Sequence, residues 1–304
     1  MKRRMILCKK YWQLYLFLLL PIVYLLVFKY YPMIGAQIAF RHFRAADGIW
    51  GSEWVGLDNF FKFFSSYQFS RVLSNTLKLS LYLLAASFPF PIVFALFLNT
   101  MEGKHCKKLV QTVTYMPYFI SMVVLVSIIT QIFNPNVGLY ATIWKALTGS
   151  TPPDILGRAD LFPHVYVWSD IWQSTGWNSV IYIAALSSVS PDLHEAGQLD
   201  GMNRFQRILH IDLPAILPTI TIVLILNAGK IMNLGFEKIY LMQNDLNLSA
   251  SEVISTYVYK VGLTAGGGDF SYATAIGLFN SVVNLVLIVV VNQICKRLGE
   301  SSLW

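Results

Sequence analysis

Glu195-Ala196-Gly197-Gln198-Leu199-Asp200-Gly201, followed at a distance by Ile211-Asp212-Leu213-Pro214, forms a polar stretch between two apolar runs. Just upstream, Ser190-Pro191-Asp192 supplies a hydroxyl N-cap, a proline at the first helical position and an acid in the first turn. A short helix is therefore expected to start at Pro191. Gly201 falls where a left-handed cap would end it, and residues 203–210 are expected to form a second short helix before Pro214 opens the next apolar run. Phe205, Ile208 and Ile211 recur at helical spacing and predict one apolar stripe, with Arg204 and Arg207 elsewhere around the turn. Such a unit suits a groove in a partner protein. The competing reading is an amphipathic helix that only rests on lipid.

Working outward, 55% of residues are hydrophobic and only 13% charged, whereas about a quarter of a soluble domain is charged. The composition is that of an integral membrane protein. Apolar runs at 11–28, 77–98, 110–133, 165–189, 213–234 and 272–291 each approach the ~20 residues a helix needs to cross a bilayer. Six spans of an all-α membrane fold are expected, in one domain over 1–304, with a short cytoplasmic segment at 1–10 and the polar loop at 190–213 between spans four and five. In the fourth run Ser169, Asp170, Gln173, Ser174 and Asn178 are expensive against lipid. They must face protein or a water-filled cavity. Outer connections of about 30 residues are too short for a further domain.

Basic residues near span ends set orientation. Lys2, Arg3, Arg4, Lys9 and Lys10, then Lys104, Lys107 and Lys108, then Arg204 and Arg207, then Lys296 and Arg297 all fall on one side, which is assigned to the cytoplasm together with both termini. The formal charge of +7 thus reads as topology and gives no case for nucleic acid. Cys8, Cys106 and Cys295 lie at that same face. An odd number there argues against a disulfide framework. The N-terminus mimics a secretory signal, but Lys29-Tyr30-Tyr31-Pro32 stands where a small-residue cleavage site would be, so the first span reads as uncleaved.

Chemistry is sparse. No G-x-x-x-x-G-K-[ST] phosphate loop and no G-x-S-x-G elbow occurs. His194-Glu195 begins like a zinc-protease motif, but Gln198 stands where the second histidine would be. Gly266-Gly267-Gly268 reads as a flexible turn. No catalytic constellation, metal site or bound cofactor is expected on this chain. Polar residues within the spans are the remaining candidates and would mark a pathway. On the fourth run Asp170, Gln173 and Trp177 share a face, with Asn178 beside it; the fifth carries Asn227, and Lys230, Asn233 and Glu237 repeat the one-face spacing near its outer end; on the sixth, Asn280 and Asn284 are one turn apart. Rings beside amides and carboxylates suit a sugar. The bland alternative is interhelical hydrogen bonding with Trp as an interfacial anchor.

The spacing E-A-(A/G), three residues, G, nine residues, I-x-L-P resembles the coupling loop of the membrane subunits of bacterial ATP-binding-cassette importers, with Gly197 where alanine is usual. Trp54-Val55-Gly56-Leu57-Asp58-Asn59-Phe60, Asn75-Thr76-Leu77, Tyr115-Met116-Pro117, Ile254-Ser255-Thr256-Tyr257-Val258-Tyr259 and Asp269-Phe270-Ser271-Tyr272-Ala273-Thr274-Ala275 extend the likeness to the sugar-permease branch of type I importers, in the subgroup associated with oligosaccharide or polysaccharide fragments. Gln243-Asn244-Asp245 replaces the Gly-Gly-Pro that many sugar permeases carry. The resemblance implies a permease subunit in a bacterial cytoplasmic membrane, half of a carbohydrate pathway. Its implied partners are a homologous second permease, two ATPase subunits that bind ATP and Mg, an extracytoplasmic solute-binding protein, the carbohydrate and the bilayer. Glu195, Ala196, Gly197, Asp200, Gly201, Phe205, Ile211, Leu213 and Pro214 would then couple to the ATPase. The alternative class is a stand-alone ion-coupled transporter, using Asp170, Lys230 and Glu237 as its coupling charges.

Overall fold

The computed structural model describes residues 10–264 and 268–297. Lys2, Arg3, Arg4, Cys8, Lys9, Gly266 and Gly267 lie outside the described residues. What is described is mostly helical, with one short pair of strands. Four helices are long and apolar enough to cross a membrane: Trp12–Phe40, Tyr67–Thr100, Arg204–Ala228 and Phe270–Arg297. They match the expected spans one, two, five and six.

The third expected span, 110–133, is not one rod. Helices Lys104–Phe119 and Met122–Ile132 meet at 98°. Pro117 lacks a backbone N–H and its ring obstructs a continuing helix, and Ser121 restarts one by accepting the Val124 N–H at 3.4 Å. The carbonyl of Ile120 left free at the break accepts the side-chain amide of Gln173 at 3.2 Å. The fourth, 165–189, consists of Phe162–Asn178 and Val180–Leu186, joined at Ser179. At 17 and 7 residues, neither helix is long enough to cross a membrane by itself. The fifth begins earlier than expected, at Arg204, and ends at Ala228 rather than 234. Lys230, Asn233 and Glu237 therefore do not share one helix face; Glu237 belongs to the separate helix Phe236–Met242.

Two compact units are distinguished, one built on the described residues of Met1–Ser66 and Val258–Phe279, the other on those of Tyr67–Tyr257 and Asn280–Trp304. In the first, the strands Arg41–His42 and Glu53–Trp54 pair antiparallel. Trp54 stacks on Phe40 with ring centres 5.6 Å apart, Phe60 packs on the same ring, and Gly56 turns the chain at φ 62°. Asn59 donates to the carbonyls of Ala39 and Arg41 at 2.9 and 3.3 Å. The W-V-G-L-D-N-F stretch is thus a clasp for this loop. The D-F-S-Y stretch secures it further: Ser271 Oγ accepts the Phe43 N–H at 2.8 Å, and Asp269 accepts from Lys62 at 2.8 Å and from the Tyr272 N–H at 2.9 Å. Burial pushes the Asp269 carboxyl up, but Lys62 and the Tyr272 N–H outweigh it and hold the group below the ordinary aspartate value.

The second unit carries two apolar clusters. One includes Leu79, Phe162, Tyr166, Val167, Ile239 and Val253; the other gathers Ile92, Ala95, Leu96, Tyr182, Leu186, Ile208 and Ile216. The Asn75-Thr76 pair bridges to a distant loop: Asn75 donates to the carbonyls of Ser249 and Glu252, and Thr76 Oγ1 accepts the Ile254 N–H. Arg71 pairs with the buried Glu252. Gln243 and Asn244, in place of the glycines usual there, bind Ser251, Thr256 and Leu156, so this corner is fixed by amides.

Candidate functional site

The loop after Leu186 is built as its sequence dictates at both ends of its first helix. Ser190 Oγ accepts the Asp192 N–H at 3.3 Å and opens Pro191–Leu199. Gly201, at φ 76°, closes it: the Met202 N–H reaches the Gly197 carbonyl at 2.8 Å and the Gly201 N–H reaches that of Gln198 at 3.0 Å. Only a residue without Cβ takes that left-handed turn cheaply. Asn203 and Gln206 then exchange side-chain-to-backbone bonds at 2.9 and 2.8 Å, a capping box that starts the next helix.

That helix does not end before Pro214. Arg204–Arg207 passes through a wider π turn at Ile208–Asp212 into Leu213–Ala228, so the expected second short helix is the base of the fifth span. The wide turn lies just where the proline ring would press on the carbonyl four residues back. The expected apolar stripe is divided as well. Ile208 is buried in the core and Ile211 is half-buried, whereas Phe205 is 62% exposed. Helical side chains lean toward the N-terminus, and Phe205, in the first turn, overhangs the end of its helix.

The two arms of the loop are tied together. His194 Nε2 lies 3.3 Å from Asp212 Oδ1, which also accepts the amide of Asn99 at 3.3 Å. A Cβ on the buried Gly197 would sit 3.2 Å from Ile211 Cδ1 and 3.3 Å from Met202 Sδ. Arg204 pairs with Glu102 in the preceding loop. Outward, Glu195, Ala196 and Asp200 are exposed together with Leu193, Leu199 and Phe205, of which Leu199 is 90% exposed. Pro214 is exposed and Leu213 packs on the core. Beside this face is a cleft of about 520 Å³ lined by Glu102, His194, Glu195, Gln198, Arg204 and Asp212, among others. Asp212 and Asn99 are not among the expected site residues, and His194 is read from the sequence only as a rejected metal ligand. The available signal was an acid at the variable position of Ile211-x-Leu213-Pro214, which is costly in an apolar neighbourhood unless paired.

The polar span residues divide into two sets. Asn178, Asn227, Lys230 and Asn233 line a cavity of about 200 Å³, and Trp177, Asn178 and Asn227 line a neighbouring one of about 410 Å³. Asn280 and Asn284 both donate to Asn233 Oδ1, at 2.9 and 3.1 Å, and Asn284 accepts the Met232 N–H at 3.0 Å. Asp170, Gln173 and Glu237 line neither cavity. Asp170 lies 3.7 Å from the buried Lys238, and Gln173 is spent on Ile120. Trp177 stacks on Tyr118 at 4.9 Å. Ser80 and Ser87, which also line the smaller cavity, were not expected; a serine on an apolar helix carries little signal by itself.

Residues 87–300 match the family model described as binding-protein-dependent transport system inner membrane component. The chain belongs to that family. Protein LplB of Bacillus subtilis (strain 168) is 43% identical over 291 residues, covering 96% of this chain and 91% of that protein. The polygalacturonan/rhamnogalacturonan transport system permease protein YteP of the same organism is 40% identical, covering 100% and 94%. Among solved structures, a bacterial ABC transporter involved in the import of the acidic polysaccharide alginate contains a chain of TM-score 0.88 and 37% identity, covering 97% of this permease and 99% of that chain. A second matching structure, at 36% identity, is of the alginate transporter in complex with alginate pentasaccharide-bound periplasmic protein. This permease is therefore a non-catalytic membrane component of an ABC importer, with ATP hydrolysis on a separate chain. The stand-alone, ion-coupled alternative falls with that membership.

Proposed function

We propose that this chain is one membrane half of an ATP-driven carbohydrate importer, with residues 190–213 as the surface that an ATPase subunit grips. The observation that carries the reading is the loop itself. A helix capped at both ends and tied to the base of the fifth span by His194 and Asp212 presents Leu193 and Leu199 outward, and Phe205 is exposed at the start of the next helix. Apolar side chains left uncovered in that way are suited to a partner's groove. Parity supports the topology. Counting the bent pair as one crossing and Phe162–Leu186 as another makes six, an even number that agrees with a cytoplasmic loop between the fourth and fifth. Lys104, Lys107, Lys108, Arg204, Arg207, Lys296 and Arg297 then all lie at the cytoplasmic face.

A carbohydrate cargo is supported by the names of the relatives, and a second permease, two ATPases and a binding protein complete the assembly. All of the polar cavity residues belong to this chain's half of the path. Glu195→Lys and Gly201→Asp are the decisive variants. The chain should insert and accumulate normally, while ATP-driven uptake falls at least tenfold and co-purification with the ATPase weakens. Wild-type uptake by both variants at normal expression would overturn the proposal.

A further inference from the structure

The cavity of about 200 Å³ is lined by Ser80, Ser87, Asn178, Asn227, Lys230 and Asn233, and no acidic side chain lines it or its 410 Å³ neighbour. Among the described residues the side chains of Asn178, Asn227 and Lys230 make no hydrogen bond or ion pair. Asn233 uses its carbonyl on Asn280 and Asn284, which leaves its NH2 to donate. Ser80 is 3% exposed and its hydroxyl has no partner. Asn178, Asn227, Lys230 and Asn233 are exposed, so the ammonium and the unused donors are open to whatever enters the path. A neutral sugar would make no particular use of the ammonium, since hydroxyls are served equally well by amides. A carboxylate would, being an acceptor of four lone pairs with one negative charge. Phosphate esters carry nearly two charges, more than a single lysine balances.

We propose that the path conducts saccharides bearing carboxylates, that is, uronate oligomers, and that Lys230 is the group that pairs with each carboxylate as it passes. The inference rests on the importer reading above. A flexible ammonium, rather than the rigid fork of an arginine, suits a transient contact that must let go again; Trp177 in the adjoining cavity offers a ring face to the sugar's C–H surface.

The test uses the assembled transporter in proteoliposomes with its binding protein. ATP-driven uptake of trigalacturonate and of neutral maltotriose is compared for wild type, Lys230→Gln and Lys230→Arg, with assembly checked on a sizing column. The expected result is a rise of about tenfold in KM for trigalacturonate in Lys230→Gln, with Lys230→Arg restoring it to within about threefold. A KM for Lys230→Gln within twofold of wild type, or equal damage by both substitutions, overturns the inference. Wild-type uptake of maltotriose but not trigalacturonate also overturns it, while leaving the importer standing. Trigalacturonate uptake that persists without ATP would instead overturn the importer reading.

Discussion

Gly197 occupies the position three residues before the helix-ending cap, where a hydrophobic contact with Met202 ordinarily forms. Alanine there would meet only the ends of two flexible side chains, Ile211 and Met202, at 3.2 and 3.3 Å. Gly197→Ala should therefore stabilise the helix by about 0.5–1 kcal/mol, read as a higher midpoint in thermal unfolding of the detergent-purified protein, with uptake retained. Gly176 is the opposite case. A Cβ there would sit 2.1 Å from the Thr114 carbonyl oxygen, and backbone cannot step aside. Gly176→Ala should cost at least the ~1–3 kcal/mol of ordinary overpacking, seen as a lowered midpoint or loss of soluble protein. Both are glycines flanked by ordinary residues. Nothing in their local sequence separates them, because the difference lies in which chain segment comes alongside. Ser190, Pro191 and Gly201 could be read in advance because a cap is made by its own neighbours.

The broken third span shows what hydropathy misses at the level of elements. Residues 110–133 carry no charge, but hydropathy carries no direction, and Tyr115-Met116-Pro117 is the local warning of the 98° bend. Gln173, a pathway candidate by its place on the fourth span, closes this break instead. Gln173→Leu would leave the Ile120 carbonyl without its donor, at a cost of about 1–3 kcal/mol, measurable as earlier thermal unfolding. In the first unit the pH dependence has a definite sign. Asp269 titrates below its ordinary value of 3.8 when folded, so its contribution is complete above that value and is lost as pH falls through the lowered folded one. Protection of the 41–54 loop from protease digestion should decline in that acid range. Asp269→Asn should make the protection lower at neutral pH and nearly independent of pH.

At the scale of the whole chain, the membrane class was legible because burial in lipid leaves a compositional signature, whereas the full lining of the cavity was not. Asn227, Lys230 and Asn233 are close in the chain and stand among the expected pathway residues, but only packing brings Ser80, Ser87 and Asn178 beside them. Proposed orientation is testable on a cysteine-free background. In vesicles that hold this chain without its ATPase, Leu199→Cys should react with a membrane-impermeant thiol reagent only when they are inverted, and Asp47→Cys only when they are right-side-out. The reverse pattern would reject the topology.

Arg204–Ala228 is helical without interruption through its π turn, and its lower end is capped and braced. Under the proposed coupling, a shaft with no joint passes displacement along its whole length, so whatever shifts Phe205 should also shift Ala228, beside the chamber that Lys230 lines. Two glycines inserted after Leu209 would act as a slipping clutch: nucleotide would still be consumed, but no cargo would move.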